Sequence, residues 1–346
     1  MNLFFVHPDT RNIGNDIIGF ATTELFYEVF GDATNVVNIP AMKRDQFGGL
    51  VARQVYDMNR LADGVVVGAG NLFENGQISF DAQAMHALRP PMMLMALSHG
   101  GIMGRDGFIE DRTDALSPNV IRHLVDRATV AMVRDTSSQA RLRELGIDVQ
   151  LGGCPTLFLP QNREDSASGD ILISLRHPMR MCVPPALQWR IPEDVRRMIA
   201  SLKAAFARPV RLVCHDYLDL EFAAGFPEAE AVYFDNVAHY INALRTCALN
   251  VTYRLHAFLP CVAFGTHSIH LSYDERGRSM LETIGMGDWD IDLLQDKNPI
   301  EAMMERALSK DRYKAACHSA QPQIAELRRT TIDGLRKFRD AIIGAD

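Results

Sequence analysis

Two short runs of the sequence are apolar at every position, and they restrict the fold more than any other feature. Residues 64–68 read GVVVG and residues 91–97 read PMMLMAL. A strand that is apolar on both faces needs a layer of helices on each side, which is the environment of a parallel sheet. Helical periodicity marks segments between such runs, as in residues 13–30. The first half of the chain is therefore predicted to form a doubly wound parallel α/β sheet.

The second half repeats this alternation. Its predicted strands are at 170–175, 210–214, 232–234, 250–253 and 268–273, and its predicted helices are at 192–206, 236–246 and 322–343. Residues 161–169, QNREDSASG, are small and polar, so they are the predicted domain linker. The fold class is thus α/β, with two Rossmann-like domains, 1–160 and 170–298, facing a cleft. Residues 299–346 are predicted to be helices that pack on the domains.

Composition excludes several kinds of partner. The 346 residues carry a formal net charge of −7, so neither a nucleic-acid surface nor a broad surface for anionic membranes is expected. The 6 cysteines include no CxxC pair, which predicts buried thiols in a reducing compartment. The amino terminus lacks the features of a signal peptide, and no apolar run approaches the roughly 20 residues that span a bilayer. We predict a cytoplasmic protein with at most peripheral membrane contact, and homo-oligomer formation is left open.

Polar and basic residues follow the predicted strands, where α/β sheets bind their ligands. These positions hold Asn12, Asn15, Asp16, Gly70, His99, Arg134, Arg176, Asp216, Arg254 and His256. Arg254 and His256 stand where a strand meets a helix, and the start of a helix offers unpaired N–H groups and a partial positive charge. An Arg and a His beside such a terminus predict a site for an anionic small molecule.

The same residues have accounts that involve no ligand. Arg254 can tie down a carboxylate within the fold. Arg134 can form a local ion pair with Asp135 at the start of a helix, for which Thr136 or Ser137 is the predicted N-cap. The aspartates show no spacing typical of metal ligands, so no metal site is predicted.

Five short motifs together carry a resemblance to a known family. They are N-x-G-x-D at 12–16, V-V-G-A-G at 66–70, V-R-D-x-x-S at 133–138, I-S-L-R at 173–176 and Y-R-L-H-A at 253–257. The set resembles the polysaccharide pyruvyltransferase family. That resemblance implies two Rossmann-like domains arranged as in GT-B glycosyltransferases and phosphoenolpyruvate as donor. It further implies that the acceptor is a sugar of a cell-surface polysaccharide or of its lipid-linked precursor.

The implied reaction needs the residue types found in these turns. Phosphoenolpyruvate carries a carboxylate and a phosphate, and a guanidinium binds such groups at two points, so Arg134 and Arg254 are predicted to hold it. Ketal formation needs an acid to protonate the enol carbon and a base for the sugar hydroxyls. His256 is the first candidate for this role, and His99 and Asp216 are the others. Neither a metal nor an organic cofactor is required.

Further contacts are predicted on both sides of the reaction. Those to the donor are Leu255, Gly70, Arg176 and His256, and those to the acceptor are Asn12, Asn15 and Asp16.

Two alternative functions from other classes stay open. One is a GT-B glycosyltransferase, in which the same Arg and His would hold the diphosphate of a nucleotide sugar. The other is a glycan- or anion-binding protein without catalysis.

Overall fold

The computed structural model describes residues 1–8, 11–45, 47–74, 76–103, 109–110, 115–161, 169–181 and 183–345, with the backbone alone at 102, 103, 109 and 110. Of the predicted linker 161–169, residues 162–168 lie outside the described residues. The described parts form two six-stranded parallel sheets, each with helices on both faces, and a two-stranded antiparallel sheet. This is the α/β fold class that the alternating pattern predicts.

The first sheet lies in the first half of the chain. The described strands of this half are β1 (Asn2–His7), β2 (Asn35–Pro40), β3 (Gly64–Gly70), β4 (Met92–Leu97), β5 (Ile102–Met103), β6 (Ile109–Glu110), β7 (Val130–Val133) and β8 (Gln150–Leu151). The order in the sheet is β2-β1-β3-β4-β7-β8, and all neighbours are parallel. β3 and β4 contain the two apolar runs, and each of their residues is buried, as helices on both faces require.

The helices of this half, except α2, start at side chains that cap their first amides. They are α1 (Ile13–Phe30), α2 (Ala52–Leu61), α3 (Ala82–His86), α4 (Pro118–Arg127) and α5 (Thr136–Glu144). Asn12 caps α1 by accepting the Gly14 N–H at 2.9 Å. The predicted cap of α5 is wrong. Asp135 is the N-cap, because its Oδ1 accepts the Ser138 N–H at 2.9 Å. Thr136, one of the two predicted caps, is already the first residue of the helix.

The second half forms a sheet of the same kind. Its strands are β9 (Ile171–Ser174), β10 (Val210–Cys214), β11 (Glu230–Tyr233), β12 (Leu249–Thr252), β13 (Ser268–Ser272) and β14 (Asp290–Asp292). Its helices are α6 (Pro185–Phe206), α7 (Tyr217–Ala223), α8 (Val237–Thr246), α9 (Leu255–Phe264), α10 (Glu275–Thr283), α11 (Pro299–Ala307) and α12 (Lys310–Ile343). The order β11-β10-β9-β12-β13-β14 reverses direction between β9 and β12, and the first sheet reverses between β1 and β3. Ligands of α/β sheets bind at such switch points.

Two helices begin earlier than predicted, because each continues through a proline. α6 starts at Pro185 and contains Pro192, and α12 starts at Lys310 and contains Pro322. An interior proline removes one helical hydrogen bond. Buried side chains lie on both sides of each proline, so tertiary packing keeps the helix continuous where the local signal predicts a start.

α12 packs on both domains. Its first part carries Tyr313 and Cys317 into the core of the second domain. Its last part carries Leu335, Phe338 and Ile342 into the core beneath the first sheet, with Leu3 and Phe5 of β1 among their neighbours in that cluster. The carboxyl-terminal helix therefore ties the two domains together.

The domains also meet directly along two lines. The first is apolar: Ile13 and Ile17 of α1 share a cluster with Tyr240 of α8 and Ala257 of α9. The second is polar and joins the start of α5 to α10. A cavity lies between these two lines of contact.

Two further expectations concern the cysteines and the membrane. Cys154, Cys214, Cys247, Cys261 and Cys317 are all buried free thiols, as predicted, and Cys182 lies outside the described residues. Across the described ranges, no helix combines the length and the apolar character that crossing a bilayer would need.

Candidate active site

The cavity between the domains has a volume of about 860 Å³ and lies at the carboxyl ends of both sheets. The first domain lines it with the turns after β1, β3 and β7, and the second domain with the turns after β9, β10, β12 and β13. Four of these turns flank the switch points of the two sheets. The cavity therefore occupies the place where both folds, taken separately, would bind a ligand.

The lining of the cavity is strongly basic. Its arginines are Arg11, Arg44, Arg134, Arg176, Arg180, Arg254 and Arg276. Within the described part of the chain, the carboxylates that line it are those of Asp216 and Asp274. A chain with a net charge of −7 has thus gathered cationic groups in one place, which favours an anionic ligand.

Arg134 presents two unpaired nitrogen atoms to this cavity. It follows β7, its backbone N–H donates to Leu97 O at 2.9 Å, and the residue is 2% exposed. Its Nε donates to Asp135 Oδ2 at 3.3 Å. Nη1 and Nη2 have no hydrogen-bond partner among the described residues. The local ion pair with Asp135 is therefore present, but it leaves the outer edge of the guanidinium open for a carboxylate or phosphate.

Arg254 is held more firmly by its own domain. Its Nε donates to Leu175 O at 2.8 Å, and its Nη2 forms a close ion pair with Asp219 and lies 3.4 Å from Asp216 Oδ2. Its Nη1 has no partner in the described ranges. Arg254 does tie down carboxylates, as the account without a ligand proposed, and it still lines the cavity with one open donor.

Asp219 organises the turns around Arg254. This aspartate is 0% exposed, and it accepts the N–H of His177 at 2.9 Å and that of His215 at 3.1 Å in addition to Arg254. The three partners follow three different strands, β9, β10 and β12. A buried carboxylate needs such compensation, and here it fixes three turns relative to one another. Asp219 is not among the residues predicted from the sequence.

Asp216 lines the cavity, but its oxygen atoms are already engaged. Oδ1 accepts the Asp219 N–H at 3.2 Å and so caps α7, while Oδ2 lies 3.4 Å from Arg254 Nη2 and 3.6 Å from Arg176 Nη1. The carboxylate is thus shared between the start of α7 and two guanidiniums. The geometry gives Asp216 the task of orienting arginines.

His256 lies where α9 begins, with a backbone that departs from helical geometry at φ −83° and ψ 17°. Its Nε2 is buried and has no hydrogen-bond partner among the described residues, and the residue lines the cavity. Burial lowers the pKa of His256 well below its usual value, and the positive charges of Arg134, Arg276 and Arg254 lower it further. With no anion bound, His256 is a neutral imidazole surrounded by cations.

His215 is a second cavity imidazole, and it is not among the predicted site residues although its neighbour Asp216 is. It is 1% exposed, its Nε2 lies 3.1 Å from the Tyr240 hydroxyl, and its carbonyl accepts the N–H of Ile13 from the first domain at 3.2 Å. Burial lowers the pKa of His215 well below its usual value, followed by the charge of Arg254. The position after β10 was the signal available in the sequence, since Arg176, which follows the neighbouring strand β9, also lines the cavity.

A family model for polysaccharide pyruvyl transferase matches residues 12–275 of the chain. The chain belongs to the polysaccharide pyruvyl transferase family. The matched range begins at the Asn12 cap of α1 and ends at Glu275, the first residue of α10, so it contains Arg134, Arg254 and His256. The family that the five motifs resemble is therefore confirmed.

Solved structures with the same architecture support the fold of this pyruvyl transferase. The S. aureus MnaA-UDP co-structure has a TM-score of 0.58 at 9% identity, over 92% of this chain and 91% of that one. UDP-GlcNAc 2-epimerase from Neisseria meningitidis bound to UDP-GlcNAc has a TM-score of 0.57 at 10% identity, over 97% of this chain and 99% of that one. The Methanocaldococcus jannaschii UDP-GlcNAc 2-epimerase in complex with UDP-GlcNAc and UDP has a TM-score of 0.54 at 11% identity, over 89% of this chain and 93% of that one. The predicted GT-B-like arrangement is confirmed, and a search among curated proteins returns no match.

Most of the predicted site residues meet in the one cavity. Those that line it are Asn12, Asn15, Arg134, Arg176, Asp216, Arg254, Leu255 and His256. Three others do not line it, and the structure gives the reason for each. Asp16 is exposed one helical step beyond Asn15, so it faces away. Gly70 is buried at the end of β3, where its carbonyl accepts the Ser98 N–H at 3.0 Å, and Asn71 is the residue that reaches the cavity.

His99 is the third. Its backbone N–H donates to Ser138 Oγ at 2.9 Å, which places it against α5. The next two residues are held by carboxylates, since Gly100 N–H donates to Glu74 Oε1 at 2.9 Å and Gly101 N–H to Glu275 Oε2 at 2.5 Å. These bonds fix the turn after β4 against the turn after β3 and the start of α10, and His99 lies outside the lining of the cavity. Its assignment as an acid or base has no support from its position.

In the described ranges, no group of three or more His, Cys, Asp and Glu side chains is arranged to hold a metal ion. The cavity is lined by arginine side chains, which bind anions by hydrogen bonds as well as by charge. The arrangement can thus neutralise and orient an anionic substrate with protein groups alone.

Proposed function

We propose that this enzyme transfers the pyruvyl group of phosphoenolpyruvate to two hydroxyls of a saccharide and forms a cyclic ketal. The observation that carries the proposal is the meeting of Arg134 from one domain with Arg254 and His256 from the other in one cavity. These three residues lie in the two most specific family motifs, V-R-D-x-x-S and R-L-H-A. The acceptor is proposed to belong to a cell-surface polysaccharide or its lipid-linked precursor.

The open donors of the cavity suit the two anionic groups of phosphoenolpyruvate. Arg134 offers Nη1 and Nη2 together, a fork that fits a carboxylate or a phosphate at two points. Arg254 offers Nη1, and the first amides of α9, at Leu255 and His256, have no acceptor within the helix. A helix start beside a guanidinium favours the second anionic group. The donor is thus held from both domains.

The reaction balances with protein groups alone. A proton adds to the enol CH₂ carbon, a saccharide hydroxyl attacks the neighbouring carbon and loses its proton, and phosphate leaves with the electrons of its C–O bond. A second hydroxyl then attacks the same carbon, loses its proton and closes the ring. The negative charge of the bound donor opposes the arginine charges that lower the pKa of His256, so the imidazole can take up a proton and give it to the enol carbon. The neutral imidazole that remains can then accept the proton of the attacking hydroxyl.

A glycosyltransferase that uses a nucleotide sugar is the second candidate. The observation in its favour is that a cavity of about 860 Å³ is far larger than a three-carbon donor requires, and a basic helix start would hold a diphosphate equally well. Under the pyruvyl transfer proposal, the remaining space holds the saccharide. The third candidate is a glycan- or anion-binding protein without turnover.

Thermal shift separates these candidates. A ligand that binds only the native state raises the melting temperature, so the purified protein is titrated with phosphoenolpyruvate, with UDP- and GDP-sugars and with inorganic phosphate. We expect phosphoenolpyruvate to raise it more than phosphate at equal concentration. A rise with a nucleotide sugar and none with phosphoenolpyruvate would overturn the proposal. Turnover is then followed as phosphate release that depends on added saccharide, and phosphoenolpyruvate binding without such release in any saccharide fraction would favour the binding protein.

A further inference from the structure

The start of α5 and one face of α10 are joined by hydroxyl groups across the domain boundary. We infer that Ser279, on the second domain, is a positioning residue for Arg134 of the first domain and acts through the carboxylate of Asp135. This inference rests on the proposed function, because it assigns Arg134 to the donor. It makes the α5–α10 contact part of the binding site although neither Ser279 nor Asp135 lines the cavity.

Asp135 connects three segments of the molecule. Its Oδ2 accepts Arg134 Nε at 3.3 Å, and its Oδ1 accepts both the Ser138 N–H and the Ser279 hydroxyl at 2.9 Å. Asp135 is 2% exposed and Ser279 is 1% exposed, so water does not replace a lost partner freely. One oxygen of the carboxylate is therefore fixed by its own helix and by the other domain. The second oxygen sets the plane of the guanidinium.

The first amides of α5 are used by the same contact. The Thr136 N–H donates to Thr283 Oγ1 at 3.0 Å, and the Ser137 N–H donates to Ser279 Oγ at 3.3 Å. A helix start would otherwise be a place for an anion, but hydroxyls of α10 occupy these donors. The anion-binding capacity at this end of β7 is thus left to the open Nη atoms of Arg134.

α10 serves the cavity at its other end. Its first turn contributes Arg276 and Gly277 to the lining, and Ser279 follows two residues later on the same helix. A contact between Ser279 and Asp135 therefore sets Arg134 and Arg276 relative to each other. When the domains part along this line, Asp135 loses the hydrogen bond from the Ser279 hydroxyl, and the guanidinium of Arg134 loses its fixed orientation. Donor binding and closure of the contact are then coupled, and the coupling acts in both directions.

The experiment is a double-mutant cycle on donor affinity. Ser279→Ala, Arg134→Lys and the double variant are compared with the unmodified enzyme by calorimetric titration with phosphoenolpyruvate and, separately, with inorganic phosphate. Losing one buried hydrogen bond to a charged group weakens binding about ten-fold, so we expect Ser279→Ala to raise Kd for phosphoenolpyruvate about ten-fold. In the Arg134→Lys background, which lacks the Nε geometry, the same change should raise Kd less than about two-fold.

Thr283→Val is the matched control. It removes a hydroxyl of the same α5–α10 contact that accepts the Thr136 N–H, lies 3.1 Å from the Thr136 hydroxyl and donates to the Ser279 carbonyl, and none of these bonds reaches Asp135. We expect less than about a two-fold change in Kd. The inference is overturned if Ser279→Ala and Thr283→Val raise Kd for phosphoenolpyruvate equally. It is also overturned if Ser279→Ala raises Kd by the same factor with and without Arg134→Lys. If Ser279→Ala fails to fold, Ser279→Cys keeps the size with a weaker donor, and an unchanged Kd there overturns it as well.

The two anions separate this inference from the proposed function. If the enzyme binds phosphate but not phosphoenolpyruvate, the proposed donor is wrong. The double-mutant cycle is then measured on Kd for phosphate, because Arg134 would hold either anion. An enzyme that binds phosphoenolpyruvate but shows no coupling between Ser279 and Arg134 contradicts only the positioning role. An enzyme that binds neither contradicts both.

Discussion

Arg254 forms a close ion pair with Asp219, which has no exposed surface and lies 35 positions earlier in the sequence. The pair matters because Asp219 also holds the backbone of His177 and His215, so one carboxylate sets the turns after β9, β10 and β12. The cavity arginine is thus part of the framework of the second domain. Its open Nη1 is oriented by Asp219 and by the Leu175 carbonyl, neither of which lines the cavity.

Asp219→Asn should destabilise the protein by about 3 kcal/mol, because it leaves the charge of Arg254 buried without its main partner. Urea unfolding at neutral pH measures the loss. Asp333→Asn is the control, since Asp333 pairs with Arg336 on the exposed face of α12, and it should change stability by less than about 0.5 kcal/mol. Similar values for the two variants would mean that the buried pair is not what fixes these turns.

Arg134→Lys should raise Kd for phosphoenolpyruvate about 10- to 100-fold, because an ammonium cannot replace two parallel hydrogen bonds from one planar group. Calorimetric titration gives the value. Arg328→Lys makes the same change where the guanidinium pairs with Glu28 outside the cavity, and donor affinity should stay as it is. If Arg134→Lys leaves the donor affinity unaltered, Arg134 is not part of the binding site.

His256→Ala should lower kcat about 10²- to 10⁴-fold while phosphoenolpyruvate still binds, because the imidazole is assigned to proton transfer and the arginines to affinity. Phosphate release measures turnover, and thermal shift measures binding. His99→Ala is the comparison, since His99 lies outside the cavity lining, and its kcat should change less than about three-fold. Full activity in His256→Ala, or the larger loss in His99→Ala, contradicts the assignment.

Stability should fall as the pH is lowered from 7 to 5. Burial lowers the pKa of His267 to about 4, so the unfolded chain, with a value near 6.5, binds more protons than the native state across this range. The native state is then favoured at higher pH, and His267 alone accounts for about 2 kcal/mol between pH 7 and 5. His267→Gln should reduce the slope measured by urea unfolding, and His318→Gln at an exposed position should not.

His256 adds a test of the donor to this pH dependence. Its pKa is lowered by burial and by three arginines, so its protonation at low pH also destabilises the empty enzyme. A bound anion offsets the arginine charges. Phosphoenolpyruvate should therefore stabilise the protein more strongly at pH 6 than at pH 8, and this difference should disappear in His256→Ala.

Much of the fold was available from the sequence, because its signals are local. The apolar runs within β3 and β4 required helices on both faces of a parallel sheet, and the structure has them. The residues after the strands were also readable, since every parallel strand sends its carboxyl end to the same edge. Arg134, Arg254 and His256 were selected on that ground, and they line one cavity.

The local signals failed where tertiary contacts overrode them. Pro192 and Pro322 predicted helix starts, yet packing on both sides keeps α6 and α12 continuous. His99 follows a strand as the lining residues do, but Glu74 and Glu275 hold the rest of its turn against the turn after β3 and the start of α10, and His99 lies outside the lining.

By itself, the sequence determined the two parallel sheets and the basic character of their carboxyl ends, because strand and helix periods repeat within a few residues. Only the tertiary structure decided which of those ends face one another and which side chains orient them. Asp219 reaches Arg254 across 35 positions and Ser279 reaches Asp135 across 144, and no local pattern specifies a contact at such separations. The partners of the cavity arginines are therefore set by how the two domains pack.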